Sequence, residues 1–380
     1  MNKIILPGAT LGVLGGGQLG RMFCTAARSM GYRTLVLDPD QHSPAGHVAD
    51  IHLQADFQDQ HALARMAAQC DVITTEFENI PADTLRFLAR STNVFPSPEI
   101  LEIAQNRQAE KQFALKAGLT PVPYFAIESQ DDCTLAQAAV PFPAILKTTS
   151  MGYDGKGQQL VRQADELMMA FQIMGKRPCV LEKKIKLSSE ISVIVARNAD
   201  GDMQCFPVSE NQHIQGILHT GIVPARINEK ISERVKQQAL KLAQSLNYIG
   251  ILAVEFFVEN NKTVYFNEMA PRPHNSGHYT NDACVTSQFE QQVRMICGLP
   301  PGDTRLLSPV VMVNMLGDLW EPNWWHILQH DNIKLHLYGK NEARQGRKMG
   351  HYNVLDTNIE SAIETAQTVF SKIKNAIVDN

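Results

Sequence analysis

The strongest constraint on the fold is the alternation of short apolar runs and helical patterns in the first hundred residues. Leu11–Leu14 is predicted as a strand, Gln18–Met30 as a helix and Thr34–Asp38 as the next strand. Strands that alternate with helices indicate βαβ units and a parallel sheet, so we expect an α/β domain here. The rhythm continues in a helix at Gln58–Gln69, a strand at Asp71–Thr75 and a helix at Ala82–Ala89.

A glycine-rich turn follows the first predicted strand. Gly15, Gly17 and Gly20 form a GxGxxG pattern before the first helix, and Asp38 ends the next strand. Backbone amides at a helix N-terminus attract an anion, so the pattern matches a dinucleotide-binding fingerprint. A tight turn that needs glycine for backbone reasons explains the same residues. From this motif alone, NAD binding and a structural turn both stay open.

The chain changes character near residue 100, where prolines interrupt the first pattern. The predicted strands become longer and the helices fewer, which is typical of an α+β region built on antiparallel hairpins. A second break at Pro300–Pro301 precedes two or three strands and a final helix. We therefore predict three domains, at residues 1–100, 101–300 and 301–380.

Composition narrows the class of protein. The 380 residues carry a net charge of −4, so a dedicated nucleic-acid binder with a basic surface is not expected. The seven cysteines form neither a CxxC pair nor a disulfide framework, which predicts reduced thiols and a cytoplasmic protein. No apolar run is long enough to predict a membrane span.

Two glutamates stand out on neighbouring apolar strands. Glu255 lies in the predicted strand Ile249–Val258 and Glu268 in Thr263–Met269. A turn centred on Asn261 and Lys262 places the two carboxylates directly opposite each other, where they repel unless a cation lies between them. Magnesium accepts carboxylates together with substrate phosphates. Solvent exposure of each glutamate is the alternative, but the surrounding run is too apolar for a surface strand.

A lysine and a flexible loop indicate phosphate binding. Lys147 ends an apolar strand, where a charge is costly unless it meets an anion. The loop at residues 151–158 combines three glycines with a lysine and suits a lid over phosphates, or else an exposed hairpin turn. Beyond it, Glu182, Lys183 and Glu190 are either solvated surface residues or contacts for adenine and ribose.

Taken together, these features resemble the ATP-grasp superfamily. Three further motifs narrow the resemblance to the 5-(carboxyamino)imidazole ribonucleotide synthases of purine biosynthesis. They are Leu-Gly-Gly-Gly-Gln-Leu-Gly-Arg-Met at 14–22, Ala-Pro-Arg-Pro-His-Asn-Ser-Gly-His at 270–278 and Gly-Arg-Lys-Met-Gly-His at 346–351. The resemblance covers roughly residues 10 to 355. It implies a Rossmann-like pre-ATP-grasp domain, an ATP-grasp domain with a lid subdomain at about residues 120–190, and a small C-terminal domain.

The resemblance also implies a reaction and its cofactors. ATP phosphorylates bicarbonate to carboxyphosphate, which yields carbon dioxide and phosphate in a closed site. The exocyclic amine of 5-aminoimidazole ribonucleotide attacks the carbon, and a carbamate, ADP and phosphate result. Magnesium is expected on Glu255, Glu268 and Asn267. The residues implied to bind ATP are Arg107, Lys147, Gly152, Tyr153, Asp154, Gly155, Lys156, Gly157, Gln158, Glu182, Lys183, Lys184, Ile185, Glu190, His213, Asn267 and Glu268.

Further residues are implied for bicarbonate and for the ribonucleotide. The resemblance makes Arg272, His274 and Lys340 catalytic, and we expect Arg272 and His274 to present fixed or switchable positive charge to an oxyanion. Without the resemblance, the cations between Lys340 and Lys348 are most simply a solvated basic loop. The residues implied to bind the ribonucleotide are Gly17, Gln18, Leu19, Glu76, Tyr153, Asp154, Arg272, His274, Asn275, Ser276, Lys340, Arg347 and Lys348.

Three alternatives remain at this stage. Another ATP-grasp ligase keeps the facing carboxylates and the lid but has a different acceptor. An NAD-dependent dehydrogenase explains the glycine motif alone, and a non-catalytic nucleotide-binding regulator needs neither both carboxylates nor Lys147. ATP hydrolysis that depends on the ribonucleotide separates these classes. The expected partners are small molecules only, without nucleic acid or membrane, and the resemblance suggests a homodimer.

Overall fold

The computed structural model describes residues 4–150, 157–320 and 324–378. These residues form three β-sheets with helices packed against them. The combination of a parallel sheet with two antiparallel sheets confirms the predicted α/β and α+β classes.

The N-terminal sheet is fully parallel, in the order β3-β2-β1-β4-β5. Its strands are β1 (Thr10–Leu14), β2 (Arg33–Leu37), β3 (Ile51–Leu53), β4 (Val72–Thr75) and β5 (Asn93–Phe95). Its helices are α1 (Gln18–Ser29), α2 (Gln60–Gln69), α3 (Ala82–Leu88) and α4 (Pro98–Gln105). Every residue of β1 is buried, as expected for a strand covered on both faces. The three-residue strands β3 and β5 are too short to produce a sequence pattern.

The second sheet is antiparallel and has four strands in the order β6-β9-β7-β8. It lies within the segment predicted as the lid subdomain. Its strands are β6 (Tyr124–Ile127), β7 (Ala144–Thr148), β8 (Gln158–Val161) and β9 (Cys179–Lys183). Helix α5 (Arg107–Lys116) leads into this sheet, and α6 (Gln130–Ala139) and α7 (Leu167–Ile173) contribute to its core.

The third sheet runs β15-β14-β10-β12-β13-β16-β18-β17, with β11 beside β10. Its strands are β10 (Leu187–Arg197), β11 (Met203–Cys205), β12 (Ser209–Ile214), β13 (Ile217–Val223), β14 (Gly250–Glu259), β15 (Thr263–Ala270), β16 (Val310–Leu316), β17 (Ile333–Leu337) and β18 (Lys348–Leu355). The associated helices are α8 (Glu229–Ser245), α9 (Thr280–Ala283), α10 (Gln288–Ile296), α11 (Trp324–Leu328) and α12 (Ile359–Val378). Because β13 pairs with β16, this sheet crosses the predicted boundary at residue 300. The three-domain division itself stays a prediction.

Helix α10 joins the N-terminal sheet to the third sheet. Phe289 and Val293 share a hydrophobic core with Phe23 of α1. Gln292 donates from Nε2 to Thr74 Oγ1 at 2.9 Å and accepts from the Ile251 amide at 2.6 Å. A buried side chain amide that bonds both sheets fixes their relative position. The carboxyl ends of β1 and β4 are thereby held against the segment that follows β15.

The sequence also predicted reduced cysteines and no membrane-spanning segment. All seven cysteines are free thiols in the described structure. Among the described residues, no helix combines the length and apolar character needed to cross a bilayer.

Candidate functional site

A cavity of about 980 Å³ brings together residues from all three sheets. Glu76 follows the N-terminal strand β4, Lys147 and Glu182 belong to the second sheet, and Glu255 and Glu268 belong to the third. Residues far apart in sequence thus line one cleft. The predicted site residues that line it are Gln18, Leu19, Glu76, Arg107, Lys147, Gln158, Glu182, Lys183, Lys184, Ile185, Glu190, His213, Glu255, Asn267, Glu268, Arg272, His274, Asn275 and Lys348.

The facing carboxylates lie on β14 and β15, where Glu255 pairs with Glu268 as predicted. The register nearer the turn differs from the prediction, because Glu259 pairs with Thr263 rather than with Val264. A register shift between Glu255 and Phe256 compensates by leaving Asn267 as an extra residue on β15. Without this irregularity, the turn would place Glu268 out of register with Glu255.

The irregularity also brings the predicted third metal ligand to the pair. Asn267 Nδ2 donates to Glu255 Oε2 at 3.3 Å, and Arg107 Nη1 lies 3.1 Å from Glu268 Oε2. Burial and the charge of Glu268 raise the pKa of Glu255 to about 7. Burial alone would raise the pKa of Glu268 too, but Arg107 and Lys147 lower it below its ordinary value. The repulsion between the two carboxylates therefore appears mainly as the raised pKa of Glu255.

This donor set fits a hard cation. Two opposed carboxylates and an amide oxygen are the protein ligands Mg²⁺ commonly uses when phosphates and water complete its coordination. The described residues contain no group of three or more His, Cys, Asp or Glu side chains arranged for a metal. The residues thus suit an ion shared with a phosphate-bearing substrate rather than a closed structural site.

A carboxylate between two lysines forms one wall of the cleft. Glu182 Oε2 lies 2.7 Å from Lys147 Nζ, and Oε1 lies 2.9 Å from Lys111 Nζ. Burial alone would raise the pKa of Glu182, but the two ammonium groups lower it to about 2. Lys111 Nζ also donates to the backbone oxygen of Asn267 at 3.2 Å. From the sequence, Glu182 was expected only among the contacts for adenine and ribose, and its two lysine partners were not identified.

Helix α5 supplies two buried residues that the sequence analysis missed. Asn106 caps the helix by accepting hydrogen bonds from the amides of Gln108 and Ala109 at 3.0 Å. Glu110 accepts from the Met269 amide at 2.6 Å, and burial raises its pKa to about 8. Together with Arg107, Glu110 and Lys111 stand at positions i, i+3 and i+4 of one helix face. This helical spacing from Arg107 is the feature of the sequence that could have predicted Glu110 and Lys111 as site residues.

Glu190 and His213 were predicted as separate nucleotide contacts, but here they contact each other. His213 Nδ1 lies 2.6 Å from Glu190 Oε2. Burial alone would lower the pKa of His213, but the hydrogen bond and charge of Glu190 raise it above its ordinary value. Both side chains line the cleft beside Ile185. Their roles toward ribose and ATP stay predictions.

The segment after β15 supplies a guanidinium and an imidazole. Arg272 Nη2 lies 2.7 Å from Glu78 Oε1. Glu78 is a third residue that was missed from the sequence, although it stands two positions after Glu76. His274 Nε2 lies 3.6 Å from Glu255 Oε1. The Ser276 amide donates to His274 Nδ1 at 3.3 Å, so the proton of the neutral ring resides on Nε2.

The expected positive charge on His274 is not what the structure supports. Burial and the charge of Arg272 lower the pKa of His274 well below its ordinary value. The imidazole is therefore a neutral hydrogen-bond donor, and Arg272 alone supplies fixed charge in this segment.

The neighbouring residues Asn275 and Ser276 differ in their access to the cleft. Asn275 lines the cavity, and neither polar atom of its side chain has a hydrogen-bond partner among the described residues. Ser276 is 1% exposed, and its hydroxyl accepts from Ser192 Oγ at 2.7 Å. The direct substrate contact expected of Ser276 is therefore corrected to a supporting position behind His274.

The glycine turn before α1 is occupied by carboxylates of the protein itself. The amides of Gly17 and Gly20 donate to Glu76, the latter at 2.7 Å, and the Gly16 amide donates to Asp38 Oδ2 at 2.7 Å. A Cβ on Gly17 would come within 2.5 Å of Glu76 Oε1, so a larger residue here would displace that carboxylate from the turn. The Gly17 amide, which we expected to meet the substrate, binds Glu76 in this structure.

The C-terminal cations differ in their access to the cleft. Lys348 lines the cavity, whereas Lys340 Nζ donates to the Lys348 backbone oxygen at 2.7 Å. Arg347 Nη1 donates to the Glu342 backbone oxygen at 2.9 Å on the surface. Their predicted contacts with a phosphate stay predictions.

The predicted lid falls mainly outside the described residues. Gly152, Tyr153, Asp154, Gly155 and Lys156 are not among them. Of the remaining loop residues, Gly157 has a φ of 71° and accepts a hydrogen bond from the Thr148 amide at 3.0 Å. Gln158 begins β8 opposite Lys147, which anchors one end of the loop at the cleft.

Comparison with known families agrees with this arrangement. Family models match a ribonucleotide synthetase preATP-grasp domain at residues 8–105, an ATP-grasp domain at residues 112–289 and a phosphoribosylaminoimidazole carboxylase C-terminal domain at residues 310–365. The fold and the cleft define an ATP-grasp ligase.

Curated relatives narrow this class. The N5-carboxyaminoimidazole ribonucleotide synthase of Bacillus subtilis (strain 168) is 43% identical over 92% of each chain. The enzyme of the same name from Brucella melitensis is 45% identical over 92% of this chain and 98% of the relative. The chain belongs to the family of N5-carboxyaminoimidazole ribonucleotide synthases.

Solved structures give the same result. The ADP complex of an N5-carboxyaminoimidazole ribonucleotide synthetase is similar with a TM-score of 0.95 and 46% identity over 99% of both chains. The synthase of Aspergillus clavatus, in complex with ADP and 5-aminoimidazole ribonucleotide, is similar with a TM-score of 0.90. It is 28% identical, and the match covers 97% of this chain and 99% of that one.

Proposed function

We propose that this chain carries out the ATP-dependent carboxylation of 5-aminoimidazole ribonucleotide with bicarbonate in purine biosynthesis. The products are 5-carboxyaminoimidazole ribonucleotide, ADP and phosphate. The observation that carries the proposal is one cleft in which Glu255 and Glu268 face each other beside Arg272 and His274. The names of the relatives and the ADP and ribonucleotide bound in similar structures support the same reaction.

Phosphoryl transfer from ATP to bicarbonate requires charge neutralisation more than covalent chemistry. Glu255, Glu268 and Asn267 would hold Mg²⁺, which would supply charge neutralisation for the nucleotide phosphates. Lys147 and Arg107 line the same cleft and add positive charge beside Glu268. Because Arg107 already lies against Glu268, it holds this carboxylate ionised and ready for a cation.

The nucleotide is proposed to extend from Lys147 along the segment at residues 182–185. These residues and Glu190 line the same cavity. We assign adenine to the backbone of Glu182 and Ile185, and the ribose hydroxyls to Glu190. His213 holds the Glu190 carboxylate in position through a 2.6 Å contact.

Bicarbonate and carboxyphosphate are proposed to bind at Arg272 and His274. The guanidinium offers fixed charge, while the neutral imidazole donates from Nε2 to a developing oxyanion. The ribonucleotide is placed between Glu76, Asn275 and Lys348, which line the cavity. The unpartnered amide of Asn275 can both donate to and accept from it.

The test measures ADP release with ATP, Mg²⁺, bicarbonate and 5-aminoimidazole ribonucleotide, omitting each in turn. The proposal requires that ADP appears only when the ribonucleotide is present and that a Glu268→Ala variant is inactive. If ATP binds but the ribonucleotide has no effect, the chain is another ATP-grasp ligase with a different acceptor.

Two further expectations belong with this proposal. The family resemblance supports a homodimer, which light scattering on the purified protein will test. The seven free thiols support a cytoplasmic location, since disulfides are rare in reducing compartments. Fractionation of cells that produce the protein will test that location.

A further inference from the structure

Lys111 is the one cation at the Glu182 wall that the proposed reaction does not use. Its side chain is 1% exposed, and its ammonium group contacts Glu182 Oε1 and the Asn267 backbone oxygen at 2.9 and 3.2 Å. Burying an ammonium group is costly unless it is paired. A lysine in this position therefore needs an explanation.

The net charge of Lys111, Lys147 and Glu182 explains why a lysine is buried at this position. Lys147 and Lys111 share a single carboxylate, so the three side chains carry a net charge of +1. Without Lys111, Lys147 and Glu182 would form a neutral pair. A neutral pair attracts the phosphates of a nucleotide far less than a cationic wall does. In this cleft, Lys147 is the lysine of the trio that lines the cavity.

We propose that Lys111 is a positioning residue that keeps Lys147 available to phosphate by taking up half of the charge of Glu182. Through the Asn267 carbonyl, it also ties the lysine wall to the strand that carries the facing carboxylates. This inference rests on the proposed ATP site, because it assigns Lys147 to the phosphates. It predicts that the charge of residue 111, rather than its packing alone, sets the affinity for phosphate-bearing nucleotides.

The test compares binding of ADP and of adenosine by calorimetry at constant Mg²⁺. Lys111→Met keeps an unbranched side chain but removes the charge, and we expect the Kd for ADP to rise on the order of tenfold. Adenosine affinity should stay unchanged, because adenosine has no phosphate. Lys236→Met is the matched control, since Lys236 pairs with Glu233 on the surface and its loss changes the net charge equally.

The double variant Lys111→Met/Glu182→Gln separates charge from packing. It leaves Lys147 with a neutral partner and restores the net charge of +1, so ADP affinity should recover relative to Lys111→Met. A purely structural role predicts that the second substitution adds to the damage. If Lys111→Met does not fold, Lys111→Gln takes its place, because it also removes the charge but can still donate to the Asn267 carbonyl. ADP affinity should again fall while adenosine affinity stays unchanged, and an unchanged affinity for ADP would overturn the inference.

The outcomes distinguish this inference from the proposed function. If the unaltered protein does not bind ADP, the proposed ATP site is wrong. If the unaltered protein binds ADP, and Lys111→Met binds ADP and adenosine with the same affinities as the unaltered protein, only the inference about Lys111 is overturned. The same holds if the double variant fails to recover affinity for ADP.

Discussion

Glu255 and Glu268 face each other across β14 and β15, yet their pKa values shift in opposite directions. Arg107 lies against Glu268 at 3.1 Å and keeps it ionised. Glu255 has His274 at 3.6 Å instead, and that imidazole is neutral. The pair thus holds one carboxylate that ionises readily and one whose ionisation is costly in the absence of a cation.

Glu255→Gln should stabilise the metal-free protein at alkaline pH. A carboxyl whose pKa is raised in the fold stabilises below its unfolded pKa and loses this contribution as pH rises through about 7. We expect the variant to unfold with a free energy on the order of 2 kcal/mol higher than the unaltered protein at pH 8, and similar at pH 4.5. Denaturant titrations in EDTA measure this difference.

The same variant should lose its response to Mg²⁺. Added Mg²⁺ raises the melting temperature of a protein that binds it in the folded state, and the variant lacks one of the proposed ligands. Glu233→Gln, an exposed carboxylate of α8, serves as the control. A rise in melting temperature with Mg²⁺ that is equal in Glu255→Gln and the unaltered protein would contradict the proposed role of Glu255 as a ligand. An identical pH dependence of stability in the two proteins would contradict the raised pKa of Glu255.

Glu76→Ala should impair the ribonucleotide site and weaken the fold. The amides of Gly17 and Gly20 lose their acceptor at the start of α1, which costs about 1–2 kcal/mol. The KM for the ribonucleotide should rise while the KM for ATP stays unchanged. Glu99→Ala removes an exposed carboxylate from the first turn of α4 and should change neither KM value. Equal increases in the KM for the ribonucleotide and the KM for ATP would argue against placing Glu76 in the ribonucleotide site.

His278 and His351 predict acid sensitivity. Both are fully buried, with ring centroids 4.8 Å apart, and burial lowers both pKa values well below the ordinary range. A histidine with a lowered pKa stabilises the fold above its unfolded pKa, and this contribution is lost as pH falls below about 6.5. The free energy of unfolding should therefore decrease between pH 7 and pH 5.

His351→Gln should reduce this acid sensitivity, because an amide cannot take up the proton and can still accept from Tyr338, whose hydroxyl lies 2.9 Å from His351 Nδ1. The slope of stability against pH should fall by up to about 1.4 kcal/mol per pH unit. His61→Gln, at an exposed position of α2, provides the comparison. An unchanged slope in His351→Gln would rule out this residue as the cause.

Arg272→Lys should slow carboxylation without weakening ATP binding. Lysine keeps the charge but loses the planar fork that reaches both Glu78 and the cleft. We expect kcat to fall by about 100-fold, as for the loss of one oxyanion donor, with the Kd for ATP unchanged. Arg294→Lys, in an ion pair on α10, controls for the substitution itself. A matching loss of ATP affinity would place Arg272 in the nucleotide site instead.

The carboxylate hairpin shows how far sequence reasoning reached. Two apolar strands with one glutamate each were enough to pair Glu255 with Glu268, and the pairing is confirmed. The intermediate register was wrong by one residue, since the extra residue Asn267 has no signature in the alternation of side chains. The pairing was therefore right partly because the extra residue on β15 compensates for the one-residue error in the register predicted at the turn.

The amino-acid sequence by itself determined the parallel N-terminal sheet, the glycine turn and the family, because each depends on local periodicity or on contiguous motifs. Only the tertiary structure decided that Lys111 reaches the carbonyl of Asn267, 156 positions away, and that Glu76 binds the amides before α1. It likewise decided that His274 is neutral. Burial and charge depend on which distant segments pack together, and no local pattern encodes that packing.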